Sequence, residues 1–304
     1  MEPMLLERVV PGIAALAWGQ PGRPLAVLVH GFPDTAWTWR HLGPDLARRG
    51  WYAVAPFTRG YAPSSLADGY DIGGLVADVV AVRDRLTDGE PATLVGHDWG
   101  GAIVSGVAAS APDGFASAAI LAIPPLPAIA AHWLRPNPRR LARLLRQAPR
   151  SWYMAYFQVP GLAERTGVFD TLWRAWAPGY DSTADRALLH TSLNTLARRR
   201  AAITYYRAVA NPLYRRKADP YTSRRAFGRP QLPTLYLHGD QDRCGRADLG
   251  SEALAYLPPG SQRVIVPGAG HFLHLENPTT VNELICSWLD RTRPADRDTP
   301  AEEK

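Results

Sequence analysis

Continuous apolar runs alternate along the chain with longer stretches in which apolar residues are spaced three or four apart. The runs lie within residues 25–29, 52–55, 92–95, 118–123, 234–240 and 262–266, which also include a few polar residues such as Thr93, His238 and Arg263. Short apolar runs of this kind predict strands that are buried on both faces, as in a parallel sheet. The stretches predicted to be helical cover residues 38–49, 71–86, 102–109, 247–256 and 279–291. Strands that alternate with helices indicate parallel β-α units and a sheet covered by helices on both faces.

This alternation is interrupted in the middle of the chain. It stops at Pro124 and Pro125, and the segment that follows contains helical patches, such as 139–147 and 184–208, without a predicted core strand. The end of the chain is polar and rich in Pro, which is typical of disorder. The predicted organisation is a core made of residues 1–125 and 230–291, a helical insertion at 126–229 and a disordered tail at 292–304.

Composition and charge support this division. The chain has 304 residues, of which 46% are hydrophobic, and this suits a globular protein with a large core. The insertion carries 19 Lys and Arg against 5 Asp and Glu, a net charge of +14, whereas the rest of the chain has a net charge of −8. We interpret the basic residues as a solvated helical surface. No nucleic-acid-binding motif accompanies them, so no nucleic-acid partner is expected.

The sequence carries no signal for a membrane or an oxidising compartment. The N-terminal residues lack a basic segment followed by an apolar run, and no stretch of about 18 uninterrupted apolar residues is present. Cys244 and Cys286 lie far apart, and no Cys/His cluster has zinc spacing. We therefore expect a cytoplasmic protein with two reduced thiols, no metal and no membrane span.

The sequence Gly96-His97-Asp98-Trp99-Gly100-Gly101 stands between a predicted strand and a predicted helix. This is the setting of a nucleophile elbow, a strained turn that projects its central residue into a site. The central residue here is Asp98 rather than Ser. An aspartate that attacks a saturated carbon forms an ester that a general base can hydrolyse with water, so Asp98 indicates epoxides or alkyl halides as substrates. The alternative is a structural turn whose Asp98 side chain caps the next helix.

Two more polar sites follow predicted strands, and ligands of open α/β sheets bind at the carboxyl ends of strands. One is His238-Gly239-Asp240-Gln241-Asp242, and the other is Gly268-Ala269-Gly270-His271. Nucleophile, acid and histidine in this order are typical of α/β-hydrolases. Over about residues 5–291 the chain resembles that superfamily, and within it the branch of epoxide hydrolases and haloalkane dehalogenases. The resemblance implies an α/β-hydrolase fold, with a mostly parallel eight-stranded sheet and an inserted helical cap.

The same resemblance implies a role for each motif. His271 would activate the hydrolytic water, and Asp242, placed by the family pattern G-x-x-D, would orient it. Asp240 stays the second candidate for the orienting acid. The loop His30-Gly31-Phe32-Pro33 resembles the oxyanion-hole loop of the family, and its likeness implies a cis peptide between Phe32 and Pro33. The backbone N–H groups of Phe32 and Trp99 would then stabilise the oxyanion.

Two segments of the insertion resemble the cap segments that carry the paired tyrosines of epoxide hydrolases. One is 152–164, with Tyr153 at the catalytic place, and the other is Thr204-Tyr205-Tyr206-Arg207, with Tyr206 at that place. An epoxide oxygen leaves as a basic alkoxide, and tyrosine hydroxyls can donate to it because they stay protonated at neutral pH. Their neighbours Tyr156 and Tyr205 stay alternative donors. The residues expected to contact the substrate are Asp34, Met154, Tyr156 and Tyr205.

The favoured function is that of an epoxide hydrolase, which converts an epoxide and water to a vicinal diol and needs no cofactor. A haloalkane dehalogenase of the same architecture is the alternative, with the halide held by the Trp99 N–H and a cap tryptophan such as Trp133 or Trp173. A third hypothesis is a ligand-binding protein on a retired hydrolase scaffold. The expected partner is a small epoxide, and a homodimer is the one macromolecular association left open.

Overall fold

The protein forms one eight-stranded sheet, seen in a computed structural model that describes residues 1–214 and 220–293. The strands are β1 (Met4–Val10), β2 (Ile13–Trp18), β3 (Leu25–Val29), β4 (Tyr52–Pro56), β5 (Ala92–His97), β6 (Phe115–Leu121), β7 (Thr234–Gly239) and β8 (Gln262–Val266). Their spatial order is β1-β2-β4-β3-β5-β6-β7-β8. β2 is antiparallel to both of its neighbours, and the other pairs are parallel. The mostly parallel eight-stranded sheet is confirmed.

The six strands predicted from apolar runs are all present, and β3, β4 and β5 are buried along their whole length. The pattern of hydrophobic residues did not predict β1 and β2, the two antiparallel strands at one edge of the sheet. β1, with the sequence MLLERVV, is exposed at most positions, and its apolar residues do not alternate with polar ones. β2 is a short, wholly buried apolar run, which periodicity alone does not distinguish from a buried turn of helix.

Twelve α-helices lie in the described part of the chain. Five of them accompany the strands: α1 (Leu42–Arg48), α2 (Ile72–Leu86), α3 (Trp99–Ser110), α11 (Leu273–Glu276) and α12 (Pro278–Arg291). The other seven follow one another between β6 and β7: α4 (Leu126–Leu134), α5 (Pro138–Gln147), α6 (Trp152–Tyr156), α7 (Val168–Trp176), α8 (Thr183–Ser192), α9 (Leu196–Ala210) and α10 (Pro220–Arg225). Within the described residues no strand interrupts those seven, while the division into core and cap domains stays a prediction.

Two predicted helices are shorter than expected. The stretch 38–49 begins as a 3-10 helix, Ala36–Arg40, and continues as α1. The long helix predicted over 184–208 is divided into α8 and α9. The division falls at Thr195, whose hydroxyl accepts the N–H of Arg198 and caps α9.

The helix predicted over 247–256 is wrong. The chain forms two short 3-10 helices there, Ala247–Gly250 and Ala253–Tyr256. Gly250 packs so closely on the Tyr236 ring that a Cβ would overlap it, and a glycine in the middle of a helix costs about 1 kcal/mol relative to Ala. Close packing on Tyr236 of the sheet therefore requires glycine at position 250, and this glycine disfavours a regular helix.

The end of the chain is described only in part. The predicted tail begins at Thr292, but Arg293 donates to the carbonyl of Gly50 and lies over the Trp51 ring at 4.6 Å. The Thr292 hydroxyl is hydrogen-bonded to the Ser117 hydroxyl at 2.7 Å, so these first two tail residues are held on the core, which corrects the predicted start of the tail. The rest of the predicted tail, 294–304, lies outside the described residues. Among the described helices, none has the length and apolar character needed to cross a membrane.

A buried ion pair links α9 to the segment that follows α6. Arg207 of α9 is 1% exposed and donates to Glu164 Oε1 at 2.6 Å. Its other N–H groups donate to the carbonyls of Phe157, at 2.7 Å, and Val159, at 3.2 Å. A buried guanidinium needs these partners because desolvation of a charge is costly. The pair therefore fixes α9 against the chain that carries Tyr153.

We expect Glu164→Leu to lower the free energy of unfolding by about 3–5 kcal/mol, because it leaves Arg207 buried without its counter-charge. Denaturant unfolding measures the loss. Adding Arg207→Met should restore part of it, since both charges are then gone. The control is Glu283→Leu, which removes an exposed partner of Arg49 and should cost about 0–1 kcal/mol. Equal losses at the two sites would contradict this account.

Candidate active site

The turn between β5 and α3 has the geometry of a nucleophile elbow. Asp98 stands at its apex with φ 49° and ψ −118°, a backbone conformation that L-residues rarely adopt. A Cβ at Gly96 would overlap the Gly100 carbonyl, and one at Gly100 would overlap the Val29 carbonyl, so only glycine fits on either side. The Asp98 side chain makes no capping hydrogen bond to α3, and the alternative of a structural cap is therefore wrong.

The loop after β3 holds one oxygen of Asp98. The backbone N–H of Phe32 donates to Asp98 Oδ1 at 2.9 Å, and the Phe32–Pro33 peptide is cis, as predicted. His30 supports this loop: its Nε2 accepts the Thr58 N–H at 3.1 Å, so its Nδ1 is the N–H that donates to the Gly31 carbonyl. Burial lowers the pKa of His30 to about 4, which keeps the ring neutral.

A second oxygen of Asp98 faces His271. His271 Nε2 lies 3.6 Å from Asp98 Oδ2, and His271 Nδ1 lies 3.0 Å from Asp242 Oδ2. The other oxygen of Asp242 accepts the backbone N–H groups of Cys244 and Gly245, at 2.7 and 2.9 Å. Both carboxylates and the imidazole are buried. The geometry thus brings together the three residues that the motif order predicts.

Electrostatics couples these three groups. Burial alone would raise the pKa of Asp242, but the His271 charge and hydrogen bonds from His238 and His271 hold it well below its usual range. For His271, burial would lower the pKa, but Cys244, Asp242 and Asp98 together raise it well above the ordinary value. Asp240, the second candidate acid, accepts the Gly268 N–H instead and has an exposed side chain. Asp242 is therefore the acid that contacts the imidazole.

Tyr153 of α6 and Tyr206 of α9 meet above this group of residues. Their rings are 5.6 Å apart in an edge-on contact, and the Tyr206 ring also packs on Phe32 at 4.9 Å and on Trp99 at 5.1 Å. Trp99 begins α3, directly after Asp98. Burial raises the pKa of each tyrosine well above its usual value, so both hydroxyls keep their protons at neutral pH.

The neighbouring tyrosines have other partners. Tyr156 donates its hydroxyl to Thr166 at 3.0 Å, and Tyr205 donates to the Arg59 carbonyl at 2.7 Å. Met154 is 41% exposed and its carbonyl accepts the Gln158 amide. The two hydroxyls are therefore engaged with partners other than Asp98, and the contact of Met154 is made by its main chain. Their predicted substrate contacts gain no support from the structure.

Asp34 lies deeper than the sequence prediction required. It is 2% exposed, one of its oxygens accepts the Thr35 N–H, and burial raises its pKa to about 7. A carboxylate oxygen of Asp34 and one ring nitrogen each of His97 and His274 lie within 4.8 Å of one another. The Asp34 carboxylate is therefore buried close to two interior histidines, and a direct substrate contact is not supported.

Two residues of the site were not predicted from the sequence. Trp176 packs its ring against His271 at 4.9 Å and against Tyr153 at 5.1 Å. Cys244 Sγ lies 3.6 Å from the Tyr153 hydroxyl. Trp176 carries no local signal, whereas the position of Cys244 two residues after Asp242 could have indicated its place.

Comparison with known proteins identifies the family. A model of the alpha/beta hydrolase fold matches residues 24–278. The chain belongs to this family. The predicted fold class is confirmed by the match together with the sheet order described above.

Several relatives of this hydrolase are named as epoxide hydrolases. The chain is 29% identical to epoxide hydrolase A of Mycobacterium tuberculosis over 302 residues, covering 89% of this chain and 92% of the relative. It is 28% identical to the AB hydrolase superfamily protein YfhM of Bacillus subtilis, covering 90% and 92%. The crystal structure of epoxide hydrolase A from Mycobacterium thermoresistibile is similar with a TM-score of 0.65 and 27% identity, over 95% of this chain and 98% of that one.

We expect Asp242→Asn to lower the pKa of His271 in this hydrolase, because it removes a carboxylate that favours the imidazolium. One opposite charge at this distance shifts a pKa by about 1–3. Titration of the ring by NMR should therefore show a midpoint at lower pH. Asp240→Asn is the matched control and should leave the midpoint in place, since Asp240 does not contact the ring. A shift in the control alone would assign the orienting role to Asp240.

Proposed function

We propose that this hydrolase converts an epoxide and water to a vicinal diol through an ester on Asp98. The observation that carries the proposal is the pair of protonated tyrosines, Tyr153 and Tyr206, of which Tyr206 packs on Phe32 and Trp99, the residue that binds Asp98 Oδ1 and the residue that follows Asp98. Relatives named as epoxide hydrolases at 27–29% identity over most of the chain support it. The helical segment 126–229 acts as a cap that brings these tyrosines to the core.

The first step is attack on the epoxide. Asp98 Oδ1 is held by the Phe32 N–H, so Oδ2 bonds to an epoxide carbon and the carbon–oxygen bond of the ring breaks. The electron pair of that bond goes to the ring oxygen, which would be a strong base. Tyr153 or Tyr206 donates a proton to it, and the partner tyrosine donates a hydrogen bond. An alkyl ester of Asp98 with a neighbouring hydroxyl results.

The second step is hydrolysis of that ester. Alkylation removes the negative charge of Asp98, one of the groups that raise the pKa of His271, so the imidazole becomes easier to deprotonate. His271 then takes a proton from water, and the hydroxide attacks the Asp98 carbonyl carbon. The oxyanion is stabilised by the N–H groups of Phe32 and Trp99. When the intermediate collapses, the departing diol oxygen takes the proton held by His271, and the proton left on the Asp98 carboxyl group returns to the tyrosinate formed in the first step. Asp98, His271 and the tyrosine are thereby restored, and no cofactor takes part.

The structure favours epoxide opening over dehalogenation. The Trp173 indole donates to the Pro33 carbonyl at 2.5 Å and is therefore engaged away from a halide. Trp133 is 69% exposed on α4, where it would not enclose an anion. Neither of these cap tryptophans is therefore supported as the second halide donor beside the Trp99 N–H, whereas two protonated tyrosines suit an alkoxide. The coupled Asp98, His271 and Asp242 likewise argue against a purely ligand-binding role. Cytoplasmic localisation and a homodimer stay predictions.

A single turnover in heavy-oxygen water should place label in the Asp98 carboxyl group, because water attacks its carbonyl carbon. Mass spectrometry of the peptide containing Asp98 measures the label. His271→Gln should let the ester accumulate, whereas Asp98→Ala should form none. Label found only in the diol would show direct attack by water and would exclude Asp98 as nucleophile.

Tyr153→Phe and Tyr206→Phe should each slow formation of the Asp98 ester with an epoxide. General-acid help is worth about 10²–10⁴-fold, and because two donors share it, the double variant should lose more than either single one. Rapid-mixing kinetics separates this step from ester hydrolysis, which should change little.

Tyr156→Phe is the matched control for this experiment. It removes one hydroxyl from a neighbouring residue whose partner is Thr166, so the ester should form at close to the normal rate. A large loss in this control, with normal rates in the double variant of Tyr153 and Tyr206, would reassign the proton donor.

A further inference from the structure

Cys244 adds a third ligand-type group to the two residues that carry the chemistry. Its Sγ, one carboxylate oxygen of Asp98 and one ring nitrogen of His271 lie within 4.8 Å of one another. All three residues are buried, with exposed fractions of 5%, 7% and 1%. No step of epoxide hydrolysis uses the thiol, so its presence beside the nucleophile and the base calls for a separate account.

The free nitrogen of His271 points into this group. Nδ1 is bonded to Asp242, whereas Nε2 is fully buried without a hydrogen-bond partner. Nε2 and Asp98 Oδ2 are 3.6 Å apart. Zinc bonds nitrogen and oxygen at about 2.0–2.2 Å, so two ligand atoms on one tetrahedral ion lie about 3.3–3.6 Å apart. With a Zn–S bond of about 2.3 Å, the thiol sulfur would lie about 3.5 Å from the other two ligand atoms, so it needs to approach them by about 1.3 Å at most.

The surroundings suit a metal ligand set as well. A histidine that binds zinc commonly donates its other ring N–H to a carboxylate, as His271 does to Asp242. Thiolate, imidazole and carboxylate together are the donors that zinc accepts, and the thiolate selects soft ions over magnesium or calcium. Three protein ligands leave a fourth position for water or for the Tyr153 hydroxyl, which lies 3.6 Å from Cys244 Sγ.

We propose that Cys244, His271 and Asp98 form a site for a thiophilic divalent cation, Zn²⁺ or Cd²⁺, that closes the active site reversibly. Binding releases the Cys244 thiol proton and any proton on His271 to solvent, with no change of oxidation state. The ion occupies the attacking oxygen and the basic nitrogen together. It therefore excludes both ester formation and ester hydrolysis, and a chelator restores the enzyme.

Direct binding tests this site without reference to turnover. Calorimetric titration of the protein with Zn²⁺, and with Cd²⁺ followed by the ultraviolet band of the cadmium–thiolate bond, should show one ion per chain at this site. Cys286→Ser leaves Cys244 as the only cysteine of the chain, so this variant should keep both the affinity and the band. Absence of the band in Cys286→Ser overturns the proposal, and that readout does not require any Cys244 variant to fold.

Variants of the ligands define the position of the ion. Cys244→Ser and Asp98→Asn should each weaken Zn²⁺ binding by at least about tenfold, which is what loss of even a supporting group costs a metal site. The cluster of Asp34, His97 and His274 is the competing location, and His274→Gln should leave the affinity unchanged. Weakening by His274→Gln, with normal affinity in Cys244→Ser, would overturn the assignment.

Inhibition provides the functional arm. If the proposed epoxide hydrolysis is correct, Zn²⁺ should compete with the epoxide, and Cys244→Ser should require at least about tenfold more Zn²⁺ for the same fractional loss of its own metal-free rate. The two proposals fail separately. A cadmium–thiolate band without epoxide turnover would retain the metal site and reject the function, whereas turnover without the band would do the reverse.

Discussion

The contact between the elbow and the loop after β3 is the constraint on which the site depends. Asp98 holds an unfavourable backbone conformation because Gly96 and Gly100 let three segments of main chain approach within van der Waals distance. The hydrogen bond from the Phe32 N–H then fixes one carboxylate oxygen and leaves the other toward His271. Any side chain at these glycines would push the segments apart and turn Asp98 away from both partners.

The helical segment completes the site through a few strong contacts. Arg207, buried against Glu164 and two backbone carbonyls, ties α9 to the segment after α6, and so sets the distance between the two tyrosines. Tyr205 anchors the same helix to the Arg59 carbonyl in the core. Adjacent residues on a helix point about 100° apart, so Tyr205 can hold α9 on the core while the side chain of Tyr206 points toward the active site.

Most of the fold was predictable because its parallel strands, apart from the edge strand β8, are buried and consist mainly of apolar residues. The elbow, the loop after β3 and the loop of His271 were predictable because each needs glycines or a proline at fixed places. The packing of Trp176 on His271 was not, since Trp176 comes from the insertion and only tertiary contacts bring the two rings together. Cys244 differs, because its position two residues after Asp242 indicates a place near His271. The position of Asp34 directly after the loop that contains Phe32 predicted a contact with the substrate. Its burial near His97 and His274 depends on the direction of its side chain, which the sequence pattern does not determine.

The hydrogen bond from Trp173 to the Pro33 carbonyl has a consequence for how such a hydrolase can diversify. Trp173 lies in α7, is stacked on Phe272 at 3.6 Å, and thus joins the helical segment to two loops of the core. A rearrangement of α7 that admits a larger molecule would also move the loop that holds Asp98. A change in α7 that alters the range of substrates therefore also alters the hydrogen bond from the Phe32 N–H to the Asp98 carboxylate. Changes in α7 are tolerated only when the loop after β3 keeps its position.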